Sequence, residues 1–96
     1  MFFCYILYSG KIDRYYVGVC ADLEIRLERH NSGWGKYTKR GIPWKIVHFE
    51  NFLTKSEALK RERQIKKMKS RKYIESILEN AGGRPDESGS TVAPAI

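Results

Sequence analysis

Two tyrosines, an arginine and a glutamate stand out for the chemistry that they could perform together: Tyr5, Tyr16, Arg26 and Glu62. A phenol can accept a proton from water, a fixed guanidinium can stabilise charge developing on a phosphate, and a carboxylate can hold a divalent metal. These are the parts needed for phosphodiester hydrolysis. A tyrosine ordinarily has a pKa of about 10, so a tyrosine base also needs a neighbouring positive charge that lowers this pKa. Taken singly, a strand tyrosine is more often a core residue than a catalyst.

Glu62 occupies an unusual position for a charged side chain. It lies three residues after Leu59 and three before Ile65, so its carboxylate points along the apolar stripe of an otherwise cationic helix. One interpretation is a helix-surface ion pair with Lys66, four residues further on. The other is a metal ligand, because Mg²⁺ keeps several waters and takes only one or two protein carboxylates together with phosphate oxygens.

The charge of the chain points to an acidic partner. There are 18 Lys and Arg against 11 Asp and Glu, a formal charge of +7, and nine of the basic residues fall within 55–72. Such density favours phosphate contact over a merely solvated helix face. Trp34, in the glycine-rich loop 32–43, either stacks on bases or caps the core. The residues predicted to contact nucleic acid are Lys36, Tyr37, Lys39, Arg40, Arg63, Lys66 and Lys67.

Length and composition exclude several classes of protein. With 96 residues the chain forms one small domain, which excludes a two-domain enzyme. No segment approaches the roughly 20 apolar residues that span a bilayer, and the start lacks a signal peptide, so we expect a cytoplasmic protein without a membrane partner. Cys4 and Cys20 lie far apart, with no CxxC or Cys/His cluster, so we expect no zinc site.

The first two apolar runs, residues 2–8 and 15–20, predict a β-hairpin. If Gly10-Lys11 is a two-residue type II′ turn, Tyr5 lies directly opposite Tyr16 and their hydroxyls share one face of the sheet. The same register places Cys4 and Cys20 on opposite faces, so we expect no disulfide between them.

The remaining pattern predicts α+β architecture. A helix capped by Asp22 carries Arg26 and His30 four residues apart, where they could reach a common ligand. A third strand over about 44–52 precedes a helix that begins with a capping box, and a last short helix follows a break near Ser70. The order β-β-α-β-α-α favours a small three-stranded, mainly antiparallel sheet flanked by helices. We expect the domain to cover residues 1–79 and residues 80–96 to form a disordered tail. The predicted apolar stripe of the capping-box helix consists of Ala58, Leu59, Ile65 and Met68.

The motifs together resemble those of the GIY-YIG nuclease superfamily, in particular its small standalone bacterial members. Cys4-Tyr5-Ile6 stands for the first motif and Tyr16-Val17-Gly18 for the second, and Arg26 follows Tyr16 at the spacing typical of the family. The segment 57–66 is similar to the family helix whose second glutamate holds the metal. The resemblance covers residues 2 to about 79.

The resemblance implies a metal-dependent endonuclease that hydrolyses phosphodiester bonds in nucleic acid, with DNA favoured over RNA. It implies that Tyr16 is the general base or its relay, with Tyr5 as its hydrogen-bonding companion. It also implies that Arg26 is the phosphate clamp and that Glu62 holds a single Mg²⁺ or Mn²⁺ ion.

Two positions depart from the family pattern. Cys4 replaces the glycine of the first motif, and we expect this to be tolerated because the position faces away from Tyr5. Val19 stands where some relatives place a lysine near the phenol, which leaves the activating cation open. His30, one turn beyond Arg26, is the candidate catalytic substitute.

Two rival hypotheses belong to other functional classes. A binding module that keeps the scaffold without turnover predicts salt-sensitive binding of nucleic acid and no products. A structural RNA-associated protein predicts that Glu62→Ala leaves RNA binding unchanged or slightly tighter, because a repulsive charge is removed.

Overall fold

Three strands and three α-helices, with one short 3₁₀ helix, make up residues 1–82, which are the residues that the computed structural model describes. The order confirms the predicted β-β-α-β-α-α arrangement and the α+β class. The elements are β1 (Phe2–Ser9), β2 (Arg14–Cys20), α1 (Leu23–Asn31), the 3₁₀ helix (Thr38–Gly41), β3 (Trp44–Phe52), α2 (Lys55–Met68) and α3 (Arg71–Gly82). Helix α3 continues past the expected domain boundary at residue 79. The rest of the predicted tail, residues 83–96, lies outside the described residues.

The sheet is antiparallel, with strand order β2-β1-β3. The central strand β1 buries four consecutive side chains, Cys4 to Leu7, each at 2% exposure or less. Successive side chains point to opposite faces, so consecutive burial means that both faces of β1 are covered. This explains why the first strand reads as a continuous apolar run.

Helices cover the two faces of the sheet separately. On one face Tyr5, Leu7 and Cys20 pack with Trp44 and with the partly buried leucines of α1. On the other face the core contains Cys4, Ile6, Val17 and Ile65, and side chains of α3 join it. The two cysteines therefore lie on opposite faces and are free, as the sequence predicts.

The predicted register of the hairpin is wrong by two residues. Ser9 pairs with Arg14, so the loop has four residues rather than two, and Tyr5 lies opposite Gly18 instead of Tyr16. Because side chains repeat every two residues along a strand, a shift of two keeps Tyr5 and Tyr16 on the same face. The prediction that Tyr5 and Tyr16 share one face is therefore confirmed, although the predicted register is wrong.

Contacts of Asp13 stabilise the wider loop. Asp13 adopts a φ of 54°, in the left-handed region. Its carboxylate accepts hydrogen bonds from the Tyr8 hydroxyl at 2.6 Å and from Arg71 of α3 at 2.7 Å. A two-residue turn would not present Asp13 to both partners, which is the physical reason for the difference from the prediction.

Both predicted helix starts are present. The Asp22 side chain accepts from the Ile25 backbone at 3.0 Å, and the capping box of Thr54 with Glu57 begins α2. Ala58 and Ile65 are buried, but Met68 is 51% exposed, which corrects the predicted apolar stripe. At 3.6 residues per turn, Met68 lies about 60° around the helix from Ile65 and outside the buried centre of the stripe.

A half-buried ion network fixes α2 against β3. Arg61 donates two hydrogen bonds to Glu50, from Nε at 2.9 Å and from Nη2 at 3.1 Å, and His48 Nε2 donates a third at 2.9 Å. Hydrogen bonds from His48 and Arg61 lower the pKa of Glu50 to about 2, against the opposing effect of burial. Because Glu62 follows Arg61 in the helix, this network also fixes the rotation that directs Glu62.

We predict that Glu50→Gln lowers the free energy of unfolding by about 2 kcal/mol at pH 7, the usual scale for a hydrogen-bonded buried charge. Since the folded pKa lies below the unfolded value of 4.5, the contribution of Glu50 is present above pH 4.5 and is lost as the pH falls toward 2. Urea unfolding from pH 7 to pH 2 measures the difference, which should shrink over this interval. The exposed Glu79→Gln is the control, and identical pH dependence in wild type and Glu50→Gln would contradict the assignment.

Candidate active site

A chain of buried polar groups lies under the sheet face that α1 covers. The Tyr5 hydroxyl is 3.1 Å from His30 Nε2, and His30 Nδ1 is 3.0 Å from Thr38 Oγ1. All three residues are at most 2% exposed. Buried polar groups are costly without partners, so this chain gives each of them one.

The number of available N–H and O–H donors determines the direction of the hydrogen bonds among Tyr5, His30 and Thr38. Burial, together with the positive charge of Arg26, lowers the pKa of His30, so its ring is neutral near pH 7 and carries one N–H. Thr38 Oγ1 lies 3.4 Å from the Gly35 carbonyl, to which it donates. With the proton on Nδ1, His30 donates to Thr38 and accepts from Tyr5, and every donor has an acceptor.

The environment of Tyr5 makes it a hydrogen-bond donor rather than a base. Burial raises the pKa of Tyr5 above its usual range, and the neighbouring Arg26 only partly offsets this effect. The phenol therefore keeps its proton at neutral pH. Cys4, the departure from the first motif, faces the opposite core, as expected.

The second motif requires its glycine because the Tyr5 ring lies across it. A Cβ atom on Gly18 would come within 2.5 Å of the Tyr5 phenol oxygen and 2.7 Å of the ring carbon that bears it. Real side chains do not approach so closely, and the obstructing ring is itself buried. Gly18 is thus the residue that allows the Tyr5 hydroxyl to reach His30.

Tyr16 is half-buried on the edge strand β2 and is surrounded by aromatic rings and a cation. Its ring centroid is 5.0 Å from that of His30, 6.1 Å from that of Tyr37 and 6.5 Å from that of Tyr5. The Lys66 ammonium nitrogen lies 6.0 Å from the same centroid, within cation–π range. The two motif tyrosines are therefore neighbours, one inside the core and one at its edge.

Arg26 is anchored next to this pair. Its Nη1 donates to the Val19 carbonyl at 3.2 Å, and its guanidinium carbon is 5.8 Å from the Trp34 ring. The sequence predicts that Arg26 and His30 reach a common ligand, but His30 points into the buried chain. Burial of an imidazole that has partners on both nitrogens explains the difference.

Glu62 is linked to Tyr16 through Lys66. Its Oε2 is 3.0 Å from the ammonium of Lys66, so the predicted ion pair forms. That ammonium is the one beside the Tyr16 ring. Because α2 packs on the face opposite α1 and β2 is an edge strand, the Lys66 side chain reaches Tyr16 around the sheet edge.

The donor set around Glu62 suits one kind of metal. Within residues 1–82 there is no cluster of three or more His, Cys, Asp and Glu side chains that could hold an ion. A site of the zinc type, with three or four protein ligands, does not fit the described residues. A hard ion that takes one carboxylate and completes its shell with water and phosphate oxygens fits Glu62.

The other residues predicted to contact nucleic acid are exposed. Trp34 and Tyr37 are 59% and 58% exposed, which rules out Trp34 as a cap on the core. The Trp34 ring lies beside both Arg26 and Arg29, at 5.8 and 5.7 Å. Solvent also reaches the cationic members of the set, namely Lys36, Lys39, Arg40, Arg63, Lys66 and Lys67.

Sequence reasoning missed Thr38 and Trp44 as supports of the site. Thr38 holds His30, and the Trp44 indole donates to the Thr38 carbonyl at 2.6 Å. Asn31 exchanges hydrogen bonds with the backbone of Trp44 at 2.6 and 3.0 Å. No spacing rule signals these contacts, because they join the end of α1, the 3₁₀ helix and the start of β3.

The residues of this site lie within a segment that matches a known protein family. A family model described as the GIY-YIG catalytic domain matches residues 1–74, a range that contains both tyrosine motifs, Arg26 and Glu62. The chain belongs to the GIY-YIG family. This confirms the resemblance predicted from the motifs, and it makes the domain one of nuclease type with nucleic acid as the implied substrate class.

Relatives of this GIY-YIG domain occur in bacteria. A UPF0213 protein of Staphylococcus saprophyticus is 48% identical over 65 residues, which cover 67% of this chain and 79% of that protein. A UPF0213 protein of Staphylococcus aureus is 46% identical over the same shares of the two chains. The solution NMR structure of a UPF0213 protein from Bacillus halodurans is similar with a TM-score of 0.56 and 32% identity, over 90% of this chain and 92% of that one.

The GIY-YIG domain shows no helix suited to a bilayer. Among the helices that the structure describes, none combines the length and the apolar character required to cross a membrane.

We predict that Gly18→Ala destabilises the domain by about 2 kcal/mol, because the new methyl group must displace the buried Tyr5 ring. Gly10→Ala is the matched control, since its Cβ would meet its nearest neighbour at an ordinary 4.0 Å. Thermal unfolding measures both changes, and the Tyr5 ring resonances in NMR spectra should move only in Gly18→Ala. Equal stability of the two variants would contradict the proposed contact.

Proposed function

We propose that this domain is a metal-dependent endonuclease that hydrolyses phosphodiester bonds in nucleic acid, acting on DNA in preference to RNA. The neighbourhood of Tyr16 is the observation that carries the proposal. The buried Tyr5–His30 pair and the ammonium of Lys66 lie beside the Tyr16 ring, and the Glu62 carboxylate pairs with that ammonium. Arg26 lies beside Tyr5 in the same cluster.

The two tyrosines take different roles in this proposal. Tyr5 is buried, keeps its proton and donates to His30, so it positions groups rather than accepting a proton. Tyr16 lies at the sheet edge, where water and substrate have access, and it acts as the proton acceptor for the attacking water. The shared face and the 6.5 Å between ring centroids support their action as a pair.

Lys66 supplies the cation beside Tyr16, since its ammonium nitrogen lies 6.0 Å from the centroid of the Tyr16 ring. The sequence indicates His30 for this role, but burial and the charge of Arg26 lower the pKa of His30, so its ring is neutral at pH 7. Lys66 thereby replaces the lysine that some relatives place at the position of Val19.

Arg26 binds the phosphate that is cleaved. One of its nitrogens is held by the Val19 carbonyl, which fixes the guanidinium without consuming its remaining donors. A fixed cation of this kind stabilises the charge that develops on the phosphate in the transition state. Glu62 would hold the divalent ion. When bound, that ion would neutralise the charge that develops on the leaving oxygen.

The roles of Glu62 and Arg26 predict a loss of cleavage on mutation. Glu62→Gln and Arg26→Ala should each reduce Mg²⁺-dependent cleavage by roughly 10²-fold or more, because each removes a group that stabilises the transition state. A panel of single-stranded, duplex and branched DNA and RNA oligonucleotides, with Mg²⁺, Mn²⁺ or EDTA, measures the loss. The matched controls are Glu28→Gln and Arg29→Ala, two exposed residues of α1.

The same experiment separates the rival functions. Wild-type rates in both Glu62→Gln and Arg26→Ala would contradict this site. Salt-sensitive binding of the oligonucleotides without products at any metal concentration would instead support a non-catalytic binding module.

The role of Lys66 predicts a loss of cleavage on mutation. Lys66→Met should lower Mg²⁺-dependent cleavage at neutral pH, because the cation beside the Tyr16 ring is lost. The rates are measured at saturating Mg²⁺, so that an altered Glu62 carboxylate does not limit them. Lys45→Met, at an exposed position of the opposite edge strand β3, is the control of equal charge. Wild-type rates in Lys66→Met would eliminate the proposed role.

A further inference from the structure

A cleft of about 380 Å³ opens next to Tyr16 and is lined mainly by residues of β2, α2 and α3. Its apolar surface comes from Val17 of β2, Ile65 of α2 and Ile74 of α3. This volume falls within the range of small-molecule sites, which are mostly apolar with a few placed polar groups. The cleft therefore has room for one organic ring with a charged substituent.

The rim of the cleft is cationic. It carries Arg14, Lys66, Lys69 and Arg71, and none of its lining residues in the described part of the chain has a carboxylate. Lys66 pairs with Glu62, and Arg71 pairs with acidic side chains as well. Within residues 1–80, neither Arg14 nor Lys69 takes part in an ion pair. These two side chains are available to an anion.

Lys69 occupies a backbone position that is better suited to glycine. It follows α2 with φ 47° and ψ 42°, in the left-handed region where Cβ is crowded. Glycine is the usual residue at such a helix end. A lysine at this backbone position is strained relative to glycine, and its side chain contributes a cation to the cleft.

Aromatic rings complete the walls. Tyr15, Tyr16 and Tyr37 line the cleft, and the guanidinium of Arg71 lies 5.3 Å from the Tyr15 ring. Nucleobases stack on such rings, and a phosphate group is the anion attached to each base in nucleic acid. Tyr16 belongs both to this cleft and to the candidate active site.

We propose that the cleft is a nucleotide subsite, which accepts one nucleobase beside the scissile bond while Arg14 and Lys69 bind the adjacent phosphate. This inference rests on the proposed function, because Tyr16 belongs to both sites and so places the cleft next to the phosphate that reacts. The apolar and aromatic surfaces of the cleft match a nucleobase, and its cationic rim matches a phosphate group. A free phosphate would contact the rim alone.

Binding of 2′-deoxyadenosine 5′-monophosphate to the full chain in EDTA tests the subsite without cleavage. Amide resonances of residues 14–17 and 65–74 should shift in NMR titrations. Inorganic phosphate and 2′-deoxyadenosine, which each lack one half of the ligand, should bind more weakly. Equal binding of inorganic phosphate, shifts confined to other residues, or no binding would each overturn the proposal.

Lys69→Gly separates ligand binding from stability. The variant should melt at the same or a higher temperature, because glycine relieves the backbone, but it should bind the mononucleotide about tenfold more weakly through loss of a charged contact. Lys45→Gln, on the opposite edge strand, removes the same charge and should bind as wild type does. Wild-type affinity in Lys69→Gly would refute the subsite.

The two proposals fail in different ways. If the mononucleotide binds in the cleft but no oligonucleotide is cleaved, the endonuclease function fails and the subsite stands. If cleavage depends on Glu62 and Arg26 but the mononucleotide does not bind, the subsite fails and the endonuclease function stands.

Discussion

The Tyr5 side chain crosses Gly18 and ends on His30, and its burial determines the geometry around it. A phenol in this position must lie flat against a residue without a side chain, and its hydroxyl must have a partner. His30 supplies that partner and is itself held by Thr38. Tyr16 of the neighbouring strand β2 packs with one side of its ring against the buried His30, and its other side is partly exposed to solvent.

The location of the site follows from the two-sided packing of a very small sheet. Helix α1 and its loop cover one face, and α2 with α3 cover the other, so groups from the two layers can meet only around an edge. The β2 edge is where Tyr16 meets Lys66. An edge strand is normally a liability that proteins protect with charged side chains, and here the same charges lie beside a phenol.

Two glutamates that look alike in the sequence, Glu50 and Glu62, have different electrostatic surroundings. Glu50 and Glu62 are both half-buried carboxylates near α2, but Glu50 accepts three hydrogen bonds, which hold its pKa at about 2. Its role is to hold the helix. Glu62 pairs with a single lysine whose side chain is 54% exposed, so its carboxylate is the one that another cation can approach.

Local patterns determined the elements, their order, both helix caps and the face shared by Tyr5 and Tyr16, because these depend on chain periodicity and on neighbours within a few residues. They did not determine the hairpin register, which a contact of Asp13 with Arg71, 58 residues away, selects. The motifs also named the family, since their residue types carry the chemistry. Only the tertiary structure decided that His30 is a buried neutral partner and that Lys66 is the cation beside Tyr16, because burial and charge proximity arise when distant segments pack together.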